Sequence, residues 1–151
     1  MTHDDRQLVN WFKAELRSYF NSQVMFTELD RKIKELDNWL NYHSPSLTAD
    51  AHGGGMTNDE KLAKYATIRE EYMIQYKSLE ARQKAVESIL AAMPYKSRGI
   101  IVRIFKRRTT IECEADKNYY TRNELQGMID REILKAVRKF TNRGSTENDT
   151  I

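Results

Sequence analysis

The chain has 151 residues, 40% of them hydrophobic and 31% charged, which suffices for one or two small domains and no more. No stretch approaches the roughly 20 consecutive apolar residues of a membrane span, and Met1-Thr2-His3-Asp4-Asp5 lacks the basic-then-apolar order of a secretory leader. One cysteine, Cys113, cannot close an internal disulfide, so a reducing compartment is expected, and with no span or leader in view a cytoplasmic location without membrane contact.

Charge is unevenly distributed. Residues 1–93 hold twelve Lys and Arg against fourteen Asp and Glu, residues 94–143 hold thirteen against six, and the tail 144–151 has a net charge of −2. A local basic excess of this size draws phosphates by long-range steering and counterion release.

In chain order, Leu8, Trp11, Phe12, Leu16, Tyr19 and Phe20 recur at helical spacing, and Phe26, Leu29, Ile33, Leu36 and Leu40 continue with gaps of three and four. The pattern predicts a helix that bends near Asn21 to Gln23 and ends by Tyr42. The aromatics of its first part are read as core, with a contact face for a second copy or another protein as the alternative. A second helix is expected over 59–93, capped by Asn58, with Leu62, Tyr65, Ile68 or Arg69, Tyr72, Tyr76, Leu79, Val86 and Ile89 on its apolar side. The two form a coiled-coil-like antiparallel hairpin, closed within one chain or across a homodimer.

The connection 43–58 contains Gly53-Gly54-Gly55. A phosphate-cradling loop needs Lys and Ser or Thr directly after its glycines and a strand before them, whereas Met56 follows here. His43 and His52, with Asp50 nearby, lack the further ligands of a metal site and read as solvated histidines. No cofactor or metal is expected.

Pro94 ends the second helix, because its ring clashes with the preceding turn and it has no amide hydrogen. Three shorter helices should follow. Ser97 can cap one bearing Ile100, Ile101, Ile104 and Phe105; Thr110 can cap one bearing Ile111 and Ala115; Thr121 with Glu124 makes a capping box for a third. The third carries Leu125, Met128 or Ile129, Ile133 or Glu132, Ala136 or Val137 and Phe140 on one side and basic residues elsewhere. The whole is all-α: a long helical hairpin over 1–93, a small three-helix helix-turn-helix domain over 94–143, and a disordered tail over 144–151.

Tyr42-His43-Ser44-Pro45-Ser46, Gly53-Gly54-Gly55-Met56-Thr57-Asn58-Asp59, Glu70-Glu71-Tyr72 and the block from Met93-Pro94 to Phe140 resemble the phage late-transcription activators of the RinA and ArpU type, over residues 20–140. Those proteins carry a C-terminal domain similar to region 4 of bacterial sigma factors, and the distance from Phe105 to Tyr120-Thr121-Arg122 equals the matching distance in the family. The chain departs from the family where apolar residues give way to Glu114 and Asn118, and a glycine to Tyr119. Two polar residues at core positions are costly without partners, and a bulky residue is not expected in the left-handed region. The middle helix is therefore expected either to shift register, packing Ile111, Cys113, Ala115 and Tyr119, or to be short and irregular.

The resemblance implies that the helix from Thr121 to Phe140 enters the major groove of double-stranded DNA. Arg122, Asn123 and Gln126 would then face base edges, since Arg pairs bidentately with guanine and Asn or Gln with adenine. Lys106, Arg107, Arg108, Lys117, Thr121 and Arg131 would hold phosphates. A phage or prophage transcriptional regulator, an activator of late genes, is the leading expectation. The competing one is an interaction protein whose hairpin binds a partner such as RNA polymerase. An enzyme is not expected, since no Ser/His/Asp or Cys/His set stands at a usable spacing.

Overall fold

The computed structural model describes residues 1–43 and 58–148, with side chains as far as Arg143. The glycine triplet, Asp50 and His52 lie outside the described residues, as do 149–151. All regular structure among the described residues is helical: α1 His3–Asn21, α2 Gln23–Tyr42, α3 Asn58–Ala91, α4 Tyr95–Phe105, α5 Ile111–Lys117 and α6 Arg122–Asn148. The expected bend is a break at Ser22 (φ −92°, ψ 1°), and Asn58 is the first residue of α3 rather than its cap. Helix α6 continues through Asn148, which corrects the expectation of a disordered tail from 144.

The chain divides into two units along a different line from the one its sequence suggests: residues 22–81 form one, and 1–21 with 82–151 form the other. In the first, α2 and the early part of α3 make the antiparallel hairpin. Phe26 stacks on Tyr76 at 4.6 Å between ring centroids, Trp39 meets Tyr65 edge-on at 4.4 Å, and Arg69 pairs with Asp37. Leu29 and Ile33 are its buried apolar residues. Two helices cover only one seam, and Val24, Met25, Tyr42 and Ile74 are left exposed.

The second unit has the main core. Val9, Phe12 and Leu16 of α1 are buried together with Val86, Ile89 and Leu90 at the end of α3, Ile100 and Ile101 of α4, Ala115 of α5, and Leu125, Ile129, Ile133 and Val137 of α6. Helix α1 thus packs on α4 and α6 and is no part of the hairpin. Ion pairs fix its direction: Arg138 with Asp5 and Lys13 with Asp130 (2.7 Å) run α1 antiparallel to α6, and Arg82 grips Glu15 through two hydrogen bonds of 2.9 and 3.1 Å. Trp11 and Phe140, assigned to apolar faces by periodicity, are exposed.

Deleting the fully buried Phe12 ring empties the centre of this unit. Phe12→Ala is expected to cost about 3–5 kcal/mol and to speed amide exchange in α6 around Ile133 more than in the hairpin. Urea unfolding with residue-resolved exchange checks this; loss of protection confined to 22–81 would contradict the packing.

Candidate nucleic-acid interface

Local chemistry sets the three elements that carry the basic residues. Pro94 (φ −56°, ψ 145°) precedes α4, and its carbonyl accepts from the Arg98 amide at 2.9 Å. Ser97, expected as the cap, lies inside the helix with its hydroxyl 3.7 Å from the Met128 sulfur. Thr110 and Thr121 do cap. The Thr110 hydroxyl accepts from the Cys113 amide at 3.1 Å, and that of Thr121 from the Glu124 amide at 3.2 Å. Glu112 and Glu114 in the first turn of α5, and Lys117 in its last, complement the helix dipole.

Both helix exits use the same device. At the end of α4 the Arg108 amide donates to the Arg103 carbonyl (3.0 Å), and at the end of α5 the Tyr120 amide donates to the Ala115 carbonyl (2.9 Å). Each six-to-one bond needs a left-handed residue just before it, a place usually filled by glycine. Arg107 (φ 60°) and Tyr119 (φ 61°) fill it here. Tyr119 therefore takes the left-handed conformation, contrary to expectation, with its ring turned to solvent and 96% exposed.

Glu114 resolves the second departure. It is a core residue, 1% exposed, and its carboxylate accepts from Arg103 Nε at 2.8 Å and Nη2 at 3.1 Å. Arg103 stands on α4 with its side chain 49% exposed, so only the carboxylate is taken fully from water. The bidentate guanidinium holds the Glu114 carboxyl below its usual 4.5, against the opposing effect of burial. Asn118 closes α5 by donating its side-chain amide to the Glu114 carbonyl at 2.7 Å. The shifted packing does not hold, since Cys113 and Tyr119 are exposed; α5 is short, as the other alternative had it, but a regular helix of seven residues.

Of the residues singled out for DNA, Lys106, Arg107, Arg108, Lys117, Thr121, Arg122, Asn123 and Arg131 are all exposed. Arg122 makes one surface pair, with Glu112 at 3.2 Å, and Lys106 lies over the Phe20 ring at 5.4 Å. Gln126 departs from the set. It is half-buried and donates to Asp130 at 3.0 Å, the carboxylate that also takes Lys13 of α1. That bond engages its side-chain amide within the fold. Lys13 and Arg17 are the cations that sequence reading assigned to the wrong unit, since they stand beside Arg107 in a common cavity.

Comparison with known proteins adds no relative: the chain matches no family model, no curated protein and no solved structure. Among the described residues no three His, Cys, Asp or Glu side chains gather as a metal site, and no helix is long and apolar enough to cross a membrane. His43 stacks on Trp39 at 4.3 Å, and its Nδ1 lies 2.9 Å from the Trp39 carbonyl.

Two outcomes follow from the turn and the pair. Tyr119→Gly removes a left-handed side chain without losing packing, so it should stabilise by about 1 kcal/mol in urea unfolding; destabilisation would contradict the turn geometry. Arg103→Ala strands a buried carboxylate and should cost about 2–3 kcal/mol at pH 7, whereas Glu114→Leu frees an arginine already half in water and should cost under about 1 kcal/mol. Because the folded Glu114 carboxyl titrates below 4.5, its stabilisation is complete above that pH and is lost as pH falls through the lowered value. Wild-type stability measured from pH 7 to 3 should therefore drop more steeply than that of Glu114→Leu, and parallel curves would contradict the pairing.

Proposed function

We propose that the protein is a sequence-specific double-stranded-DNA-binding transcriptional regulator, without enzymatic activity, in which α5, the turn 118–121 and α6 act as a helix-turn-helix. The observation that carries this is the exposure of Arg122 and Asn123 at the start of a helix whose N-terminus is capped and anchored, with Lys106, Arg107 and Arg108 exposed before α5. Arg122 and Asn123 are the base readers. Arg131 and Lys117 join the 106–108 run as phosphate contacts, which set register without reading sequence. The Arg122–Glu112 pair is exposed and weak enough to yield to a guanine edge. The likeness of the 93–140 block to sigma region 4 supports the role of a phage or prophage late-gene activator acting in a bacterial cytoplasm.

The hairpin suggests a second role, binding a second copy or RNA polymerase, because Val24, Met25, Tyr42 and Ile74 are exposed on it. Sedimentation of the chain alone and with polymerase checks this. A monomer that leaves polymerase unchanged would exclude it.

Fluorescence anisotropy on selected and scrambled duplexes across a salt series tests the main role. Arg122→Ala with Asn123→Ala should erase the preference for the selected duplex, each side chain being worth about 1–3 kcal/mol of discrimination. Lys106→Ala should weaken both duplexes alike and lower the salt slope by about 1. Unchanged selectivity in the double variant would remove α6 as the reader.

A further inference from the structure

The cavity bounded by α1, the α4–α5 turn and α6 has a volume of about 260 Å³ and an unusual balance of charge. Three cations reach it: Lys13 and Arg17 from α1 and Arg107 from the turn. Lys13 is already neutralised by Asp130 at 2.7 Å. Arg17 and Arg107 have no carboxylate partner among the described residues. Arg17 is held over the Phe105 ring, 5.5 Å from its centroid, which keeps its guanidinium at the cavity while leaving its N–H groups unused by any acid. Arg107 sits at φ 60°, where glycine would be the unstrained choice. A cationic side chain is thus kept at a backbone position that costs about 1–2 kcal/mol for any L-residue, and strain of this kind gathers at functional positions.

Apart from the half-buried Gln126, the rest of the lining is apolar. Ile104, Phe105, Ile111 and Ile129 form the walls, so the cavity joins two unpaired guanidiniums to a hydrocarbon surface. Guanidinium presents its N–H groups in a planar fork that matches phosphate oxygens. A phosphate monoester carries a charge of about −1.5 to −2 at neutral pH, which two unpaired arginines balance, whereas a backbone diester carries a single charge. The apolar walls leave inorganic phosphate uncovered on one side and suit an ester bearing a small planar or aliphatic group.

We propose that this cavity is a binding site for a small phosphate monoester, held by Arg17 and Arg107 with its organic part against Phe105 and Ile129. The site shares Arg107 with the basic run before α5 assigned to DNA phosphates, whereas Arg17 belongs to the cavity alone. A ligand here would tie α1 to the turn that precedes α5, and so reach the segment that positions α6.

Calorimetric titration of the full chain with phenyl phosphate, inorganic phosphate and phenol, without DNA, tests the proposal. Phenyl phosphate should bind, inorganic phosphate more weakly, and phenol not measurably. Arg17→Gln and Arg107→Gly should each weaken phenyl phosphate by about tenfold or more, that is about 1.4 kcal/mol. Arg107→Gly should keep or raise the melting temperature of the free protein, because glycine suits that backbone, so loss of binding there is not unfolding. Lys117→Gln, outside the cavity, should bind as wild type does. No binding of phenyl phosphate at millimolar concentration, or equal binding by all three variants, would overturn the site.

Discussion

The pair between Arg103 and the buried Glu114 is the constraint on which the C-terminal half depends. Helix α5 has seven residues, too few to be stable by itself, and Ala115 is its one fully buried apolar residue. Its place on α4 and α6 therefore rests on the Thr110 cap, the Tyr119 turn and the bidentate grip of Arg103 on Glu114. The energetics are asymmetric. A carboxylate taken fully out of water is stable there only while its partner is present, whereas the half-exposed arginine survives alone. The pair thus specifies one register for α5, and that register delivers the Tyr120-Thr121 turn from which α6 begins.

Helix α6 packs against α1, α4 and α5, and its N-terminal residues Arg122 and Asn123 stay exposed. Docking of α1 has two consequences. It completes the core through Phe12 and Leu16, and it sends Lys13 to Asp130, which occupies Gln126 and takes it out of the exposed set. Basic groups from opposite ends of the sequence meet as a result, Arg17 with Arg107, and the local charge is richer than the 94–143 segment alone provides.

Helical character, the break near Ser22, the Thr110 and Thr121 caps and the stop before Pro94 were legible in the sequence because each is set by a few adjacent residues. Choice of partner was not. The stripe through Leu8, Phe12 and Leu16 serves equally well against a hairpin mate or against α6, and only the tertiary fold selects the latter. Glu114 read as a defect because its counterion lies eleven positions upstream on another helix. Tyr119 was misjudged because propensity weighs a residue singly, while the Tyr120–Ala115 bond imposes the left-handed conformation from outside. Gln126 looked free since the residue that organises its carboxylate partner, Lys13, comes from the far end of the chain.

That an anchored α6 presents Arg122 and Asn123 to base edges is tested most directly by selecting bound duplexes from a random-sequence pool with the purified protein at physiological salt. The account predicts enrichment of a short motif containing guanine and adenine positions for those two side chains, with enrichment lost in the Arg122→Ala, Asn123→Ala protein. A pool that remains random, or that binds only at low salt with no preference, would contradict it.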